Sequence, residues 1–265
     1  MKKQFGDNEK IPVGIALSGG SARGFAHLGV LKALEEAGLH PGVISGVSAG
    51  AIVGAFYADG YSPEEILEMF IEKKLFQILH LNVNRTGFLK PSGIDSLIKK
   101  YLRAKTFDQL KIPLYITASD LNRGVAVYFH EGALPDKIMA SSAIPVLFQP
   151  VVIEGTTYVD GGLIDNLPVQ PVRNKCRVLV GVSANPNYEE NDLNGFWKLT
   201  ERTIYLNLVT RIQEHKLYCD IFIEPPTLKD YGLFEISKAR EIFACGYDEA
   251  KRVLNKHAEL LKGKT

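Results

Sequence analysis

The stretch Ile44-Ser45-Gly46-Val47-Ser48-Ala49-Gly50 contains the run Gly46-x-Ser48-x-Gly50. Before it, Val43 and Ile44 are apolar and β-branched, like the end of a buried strand. After it, Ala51-Ile-Val-Gly-Ala-Phe-Tyr-Ala58 is apolar all round, like a buried helix. Ser48 therefore falls where a strand turns sharply into a helix. Such a turn brings backbones together, and glycines two residues either side of the serine remove the Cβ atoms that would clash. It also lifts the hydroxyl out of the sheet and sets it at a helix N-terminus, where developing negative charge is stabilised. Small-residue turns match this pattern as well, so the neighbouring stretches decide its meaning.

The chain's 265 residues, 46% of them apolar, suit one domain with a substantial core, or one domain and an appendage. A formal charge of +1 is far from the strong basicity of proteins that wrap nucleic acid, and that class is set aside. Cys176, Cys219 and Cys245 are odd in number and lack metal-ligand spacing. They read as reduced thiols, which gives a cytoplasmic expectation. Met1–Lys10 reads as a loose arm with no signal-like apolar run behind it. No stretch approaches the ~20 apolar residues of a membrane span. Any membrane contact is expected to be peripheral, at the inner face.

Outward from Ser48 the chain alternates strands and helices. A strand over 11–17, a tight loop Ser18-Gly-Gly-Ser-Ala-Arg-Gly24 and a helix ending at Gly38 precede the Ser48 strand, which makes a βαβ unit with a parallel sheet. Ser62-Pro63-Glu64-Glu65 is a helix start with a capping Ser, Pro at N1 and Glu at N3; that helix is expected to reach about Phe76. A loop over 77–91, a helix from Ser92 to about Leu102, strands over 114–119 and 125–129, and a short helix over 135–143 follow. A hairpin turning at Glu154-Gly155, a buried strand over 177–183, a helix over 196–217, a strand over 220–223 and a closing helix over 236–256 complete the reading. The class is α/β. The division expected is an arm over 1–10, a core over 11–190, and a helical extension over 191–265 packed on the same domain.

Two further stretches carry chemistry. Ser18–Gly24 lies between a strand and a helix N-terminus, so its backbone N–H groups converge on one hollow. It is a poor dinucleotide loop, because position 21 is Ser and no acid ends the next strand. It is no P-loop, because Gly24-Phe25-Ala26 stands where Gly-Lys-Ser/Thr is needed. An oxyanion hole beside Ser48 and a plain tight turn both remain. In Tyr158-Val-Asp-Gly-Gly162, Asp160 reads either as a turn acid or as a carboxylate aimed at Ser48. Of the six histidines, none follows Asp160 in a loop suited to a Ser-His-Asp arrangement; His215 on a helix and His257 near the C-terminus read as surface residues. Arg23 reads as a clamp on the glycine loop, a partner for a phosphate, or a solvated first-turn residue. Asp120 and Asp165 read as turn acids. Lys99, Lys100, Arg103, Lys105 and Lys111 read as a solvated face, with a membrane-facing patch as the alternative. Phe70, Leu75, Phe76, Leu79 and Leu81 read as core, with an acyl cleft or lid as the alternative.

Taken together, Leu17-Ser-Gly-Gly-Ser-Ala-Arg-Gly-Phe-Ala-His-Leu-Gly-Val-Leu31, Gly46-Val-Ser-Ala-Gly50, Ala140-Ser-Ser-Ala-Ile-Pro-Val-Leu-Phe-Gln-Pro150 and Asp160-Gly-Gly162 resemble, in order, the motifs of patatin-like phospholipases. Asn166-Leu-Pro168 matches the stretch after that family's Asp-Gly-Gly. The resemblance runs from about Val13 to Asn185. It implies a three-layer α/β/α fold with a mainly parallel sheet and hydrolysis of lipid acyl esters by a Ser–Asp dyad. By that resemblance Ser48 is the nucleophile, Asp160 the base, and Gly19, Gly20 and Ser21 the oxyanion hole, supported by Arg23, Gly46, Gly50, Gly161 and Gly162. No metal or organic cofactor is implied, and the partner is a lipid or other acyl-ester substrate. Many members carry glycine where this chain has Ser18 and Ser21; if position 21 needs a positive φ, the loop is strained. The rival readings are an acyl-CoA thioesterase or acyltransferase on the same site, and a lipid-sensing protein with a relic site. Burial beside an apolar cleft should lift the Asp160 pKa to between ~5 and ~7.

Overall fold

Three parallel strands deliver the elbow and its surroundings: β1 (Ile11–Leu17), β2 (Val43–Val47) and β3 (Leu114–Asp120). The structure, a computed structural model, describes residues 10–72 and 92–258. Residues 1–9 of the arm expected over 1–10, the loop expected over 77–91 and the cleft candidates Leu75, Phe76, Leu79 and Leu81 lie outside the described residues. The remaining strands are β4 (Val125–Phe129), β5 (Val151–Ile153), β6 (Thr156–Asp160), β7 (Cys176–Val182) and β8 (Ile221–Ile223). The helices are α1 (Phe25–Glu36), α2 (Ala49–Ala58), α3 (Pro63–Glu72), α4 (Ser92–Tyr101), α5 (Leu134–Ser141), α6 (Gln170–Arg173), α7 (Phe196–His215) and α8 (Ala239–Lys256).

The sheet order is β5-β6-β3-β2-β1-β7-β8, with β4 also on β3. β1, β2, β3, β7 and β8 are parallel; β4, β5 and β6 are antiparallel to their partners, so the sheet is mixed. One detail of the register matters for function. Thr117 pairs with Val47 of β2 and with Tyr128 of β4, so β2 and β4 lie on opposite edges of β3. Ala118 pairs with Val127 of β4 and with Asp160 of β6, so β6 shares the edge used by β2. β2 and β6 therefore run toward each other along one edge of β3. Their ends meet where Thr117 and Ala118 are neighbours, and Ser48 and Asp160 are brought together there.

Alternation along each strand sorts the core into two faces. Val13, Ile15 and Leu17 of β1 and Val178, Val180 and Val182 of β7 pack with α1, α2, α3 and α8. Ala16, Val43 and Leu179 face the other side, against Leu167, Val169, Val172 and Ile212. That second layer is thin, made by the short α6 and the C-terminal part of α7. The helix start expected at Ser62 is present as a reciprocal cap. The Ser62 N–H donates to Glu65 Oε2 at 2.7 Å, and the Glu65 N–H donates to Ser62 Oγ at 3.2 Å. α6 is an element that the sequence reading did not include.

α8 lies directly on α1, backbone against backbone. A Cβ on Gly29 would stand 2.0 Å from the Phe243 carbonyl oxygen, and one on Gly246 would stand 2.0 Å from the Ala26 carbonyl oxygen. Gly246→Val should therefore push the two helices apart and cost about 3 kcal/mol. Thermal melting checks this; a midpoint equal to that of the unsubstituted chain would contradict the close crossing.

Candidate active site

Ser48 follows β2 directly and caps α2 by its backbone, with φ 52° and ψ −120°. For a residue with a Cβ such a conformation costs about 1–3 kcal/mol and persists only where its surroundings enforce it. They do so here by crowding. A Cβ on Gly46 would meet the Gly50 carbonyl oxygen at 2.4 Å, and one on Gly50 would meet the Leu17 oxygen at 2.4 Å. The Ser48 N–H donates to Ser141 Oγ at 2.8 Å, which ties the elbow to the end of α5. The Ser48 hydroxyl does not cap the helix. The Asp160 carboxylate is its neighbour, and the interaction between the two favours the ionised acid.

Asp160 ends β6 and is buried. Burial lifts its pKa from the ordinary 3.8 to about 6, against the interactions with Ser48 and the Gly162 N–H, which favour the ionised form. The Gly162 N–H lies 2.8 Å from Asp160 Oδ1. Gly161 leaves room for the Thr117 carbonyl, which a Cβ there would approach to 2.3 Å. A carboxylate so placed is a far better proton acceptor near neutrality than an exposed one.

The glycine loop runs alongside. A Cβ on Gly19 would come within 3.3 Å of the Ser48 Cβ. The Gly19 N–H already donates to Asn166 Oδ1 at 3.1 Å. The Ala22 N–H donates to the Leu233 carbonyl at 2.8 Å, and the Arg23 N–H donates to the Gly20 carbonyl at 3.0 Å. Gly19 thus differs from Gly20 and Ser21, the other two expected oxyanion donors, in having its N–H already engaged. Ser21 has φ 49°, so the strain expected if this position turned left-handed is present. Ser18 does not share it. Its hydroxyl donates to the Gly19 carbonyl at 2.7 Å and accepts the Ala184 N–H at 2.9 Å. Asn185 Nδ2 donates to the same Gly19 carbonyl at 2.7 Å.

Ser48 and Ser21 open into an apolar cleft of about 110 Å³, open to solvent at its mouth. Phe25, Leu28, Ile52, Phe70, Ile94 and Phe148 are among its walls. Phe70 belongs both to the core and to the cleft. Arg23 turns away from this cleft. It is buried, with Nε donating to the Tyr231 carbonyl at 2.7 Å and Nη1 to the Tyr205 hydroxyl at 3.1 Å. It clamps the loop to the C-terminal part of the chain through neutral groups, and it lines a separate polar pocket.

The other titratable candidates lie elsewhere. Asp120 closes its own turn, accepting from the N–H groups of Asn122 and Arg123 at 2.9 and 3.0 Å. Asp165 is not a turn acid only; it pairs with His215 at 3.0 Å. His215 is accordingly no free surface residue. His257 Nδ1 faces the Val253 carbonyl at 2.9 Å. His27 is buried under the loop, Nε2 at 2.8 Å from the Ser18 carbonyl, and burial holds its pKa down at about 4. Within the basic cluster, Lys99 pairs with Asp95 at 2.8 Å and the Arg103 guanidinium lies 3.9 Å from the Tyr61 ring centre. Asn166, Ser141, Asn185 and His27 shape the site without having been singled out for it. Ser141, Asn166 and His27 stand inside the motif stretches, which was the available signal.

The sequence matches the patatin-like phospholipase family over residues 15–173. An NTE family protein of Mycobacterium tuberculosis is 34% identical over 176 residues, covering 65% of this chain and 49% of its own length. Lysophospholipase nte1 of Aspergillus fumigatus is 26% identical over 279 residues, covering 92% of this chain and 18% of its own. The chain thus spans about half the length of the mycobacterial relative and under a fifth of the fungal one. Among solved structures, VipD from Legionella pneumophila superposes with a TM-score of 0.57 at 16% identity, over 94% of this chain and 67% of that one, a likeness of fold. The family match covers more than half of the 265 residues and takes in the elbow, the glycine loop and Asp160, so the chain belongs to the patatin-like phospholipase family.

Proposed function

We propose that this protein is a serine lipid-acyl hydrolase of the phospholipase A or carboxylesterase type. The observation that carries the reading is Ser48 on its left-handed elbow, set against a desolvated Asp160 carboxylate beside an apolar cleft. An acyl chain lies in the cleft with its carbonyl at Ser48. Asp160 accepts the hydroxyl proton as Ser48 Oγ bonds to the carbonyl carbon. The oxyanion is held by the N–H groups of Gly20 and Ser21, assisted by the N-terminal end of α2; one such donor contributes ~3 kcal/mol. Asp160 returns the proton to the departing alcohol. Water, deprotonated by Asp160, then adds to the acyl carbon; Ser48 Oγ departs, takes that proton back from Asp160, and the fatty acid is released.

The fungal relatives are named lysophospholipases, which makes a single-chain phospholipid the first substrate to test. The reading includes peripheral contact with a membrane, since the acyl chains of a two-chain lipid must leave a bilayer to enter the cleft. Among the described residues no helix is long and apolar enough to cross one. The test is release of fatty acid from lysophospholipid and from a two-chain phospholipid, with Ser48→Ala as control. Transfer of the acyl group to added alcohol or lysolipid in preference to water would favour an acyltransferase instead. Among the described residues no three His, Cys, Asp or Glu side chains are grouped to hold a metal ion. EDTA should therefore leave hydrolysis of a soluble ester unchanged, and loss of activity restored by a divalent ion would count against the dyad.

A further inference from the structure

The segment from Gly161 to Val169 opens with a 3-10 turn over Gly161–Leu163 and continues as irregular chain, and side chains tie it to its surroundings. Asp165 is buried, accepts the Tyr128 hydroxyl at 2.7 Å from β4 and the Leu167 N–H at 3.2 Å, and has His215 Nδ1 from the end of α7 as its ion-pair partner at 3.0 Å. His215 Nδ1 also hydrogen-bonds the Leu167 carbonyl at 2.9 Å, so the imidazole meets the segment at two points, by that bond and by the Asp165 ion pair. Asn207 Nδ2 donates to the Leu163 carbonyl at 3.0 Å, and the Ser45 hydroxyl donates to the Pro168 carbonyl at 2.5 Å. The residue fixed in the middle is Asn166, 1% exposed.

Asn166 sits between the two halves of the site. Its Oδ1 takes the Gly19 N–H, and a Cβ on Gly19 or Gly162 would lie 2.6 or 2.8 Å from that oxygen. Exchanging O and N in the carboxamide would set N–H against N–H, so the donor fixes its orientation. Its Nδ2 is buried without an acceptor among the described residues. An apolar residue would escape that penalty, so Oδ1 is the useful end. Holding the Gly19 N–H sets the plane of the peptide from which Gly20 and Ser21 continue.

We propose that Asn166 is a positioning residue for the glycine loop, kept in register by the Tyr128–Asp165–His215 cluster. This rests on the acyl-hydrolase reading of the Ser48 site. The cluster holds two of the three members of a Ser-His-Asp triad, but its bonds go to Tyr128 and Leu167, while the acid set against Ser48 is Asp160. Its part is to aim the loop amides.

The test compares Asn166→Ala, His215→Ala and His215→Asn in the full chain. The readouts are steady-state hydrolysis of a short-chain p-nitrophenyl ester and hydrogen exchange of the Gly19 amide. Mis-aimed donors weaken the transition state more than the bound ester. Asn166→Ala should lower kcat about 100-fold with KM within about threefold. His215→Ala should lower kcat about tenfold, and His215→Asn, whose Nδ2 can stand where Nδ1 stood, should regain most of it. Gly19 should lose protection in Asn166→Ala, lose part of it in His215→Ala, and recover in His215→Asn. Unchanged Gly19 exchange, a loss confined to KM, or no rescue by Asn over Ala at 215 would overturn the proposal. If Asn166→Ala does not fold, the two His215 variants decide. Protection that follows the pattern in a chain with no esterase activity would sink the hydrolase reading alone. Normal activity with no pattern would sink the positioning role alone.

Discussion

Asp160→Asn lowers kcat for ester hydrolysis by about 10³-fold or more, and at pH 7 it raises the melting temperature. The first effect follows from losing the acid set against Ser48, since a positioned general base contributes about 10²–10⁴-fold. The amide keeps the shape and can still accept the Gly162 N–H. The second effect follows from burial. Folding raises the carboxyl pKa from 3.8 to about 6. The folded chain then binds the proton more tightly than the unfolded one, so this group costs stability as pH rises from about 4 to about 6, and the full cost persists above that. Two units correspond to about 3 kcal/mol as an order of magnitude. The neutral amide avoids it, so the gain in melting temperature should vanish near pH 4. In the unsubstituted protein, kcat/KM should rise with pH through about 6 as Asp160 ionises. Full activity in the variant, or a gain in stability at pH 4 as large as at pH 7, would refute the assignment.

Ser48→Ala abolishes hydrolysis with little change in the fold. The hydroxyl caps nothing and its loss leaves only the Asp160 contact unmade. The expected loss is about 10⁴-fold or more, because no nucleophile remains. Ser48→Gly should be equally inactive but more stable than Ser48→Ala, by about 1 kcal/mol or more, since only glycine is at ease at φ 52°. Denaturant melts of the pair check the strain at the elbow. Equal stability of Gly and Ala at position 48 would mean that the turn stores no strain.

Much of this arrangement was readable along the chain because it is local. Gly46 and Gly50 mark the elbow through the clearance it requires, and the Ser62–Glu65 cap is written in four adjacent residues. What was not readable is set by partners far apart in sequence. That β6 shares an edge of β3 with β2, and so carries Asp160 to Ser48, depends on strand pairing and not on any motif. The crossing of α1 and α8 at Gly29 and Gly246 joins residues more than two hundred positions apart, and each glycine alone reads as an ordinary small helix residue. Gly19 was grouped with Gly20 and Ser21, although its N–H is taken by Asn166, a partner known only once the segment after Asp160 is seen to fold back. His215 read as a surface residue because α7 shows its buried side only when Asp165 is placed beneath it.

The most direct measurement is labelling with a fluorophosphonate, followed by mass mapping of the adduct and of its rate against pH. The account predicts one adduct, on Ser48, none in Ser48→Ala, and a labelling rate that rises through about pH 6 and loses that dependence in Asp160→Asn. An adduct on Ser18, Ser21 or Ser183, or a pH dependence that survives Asp160→Asn and disappears on removing a histidine, would contradict it.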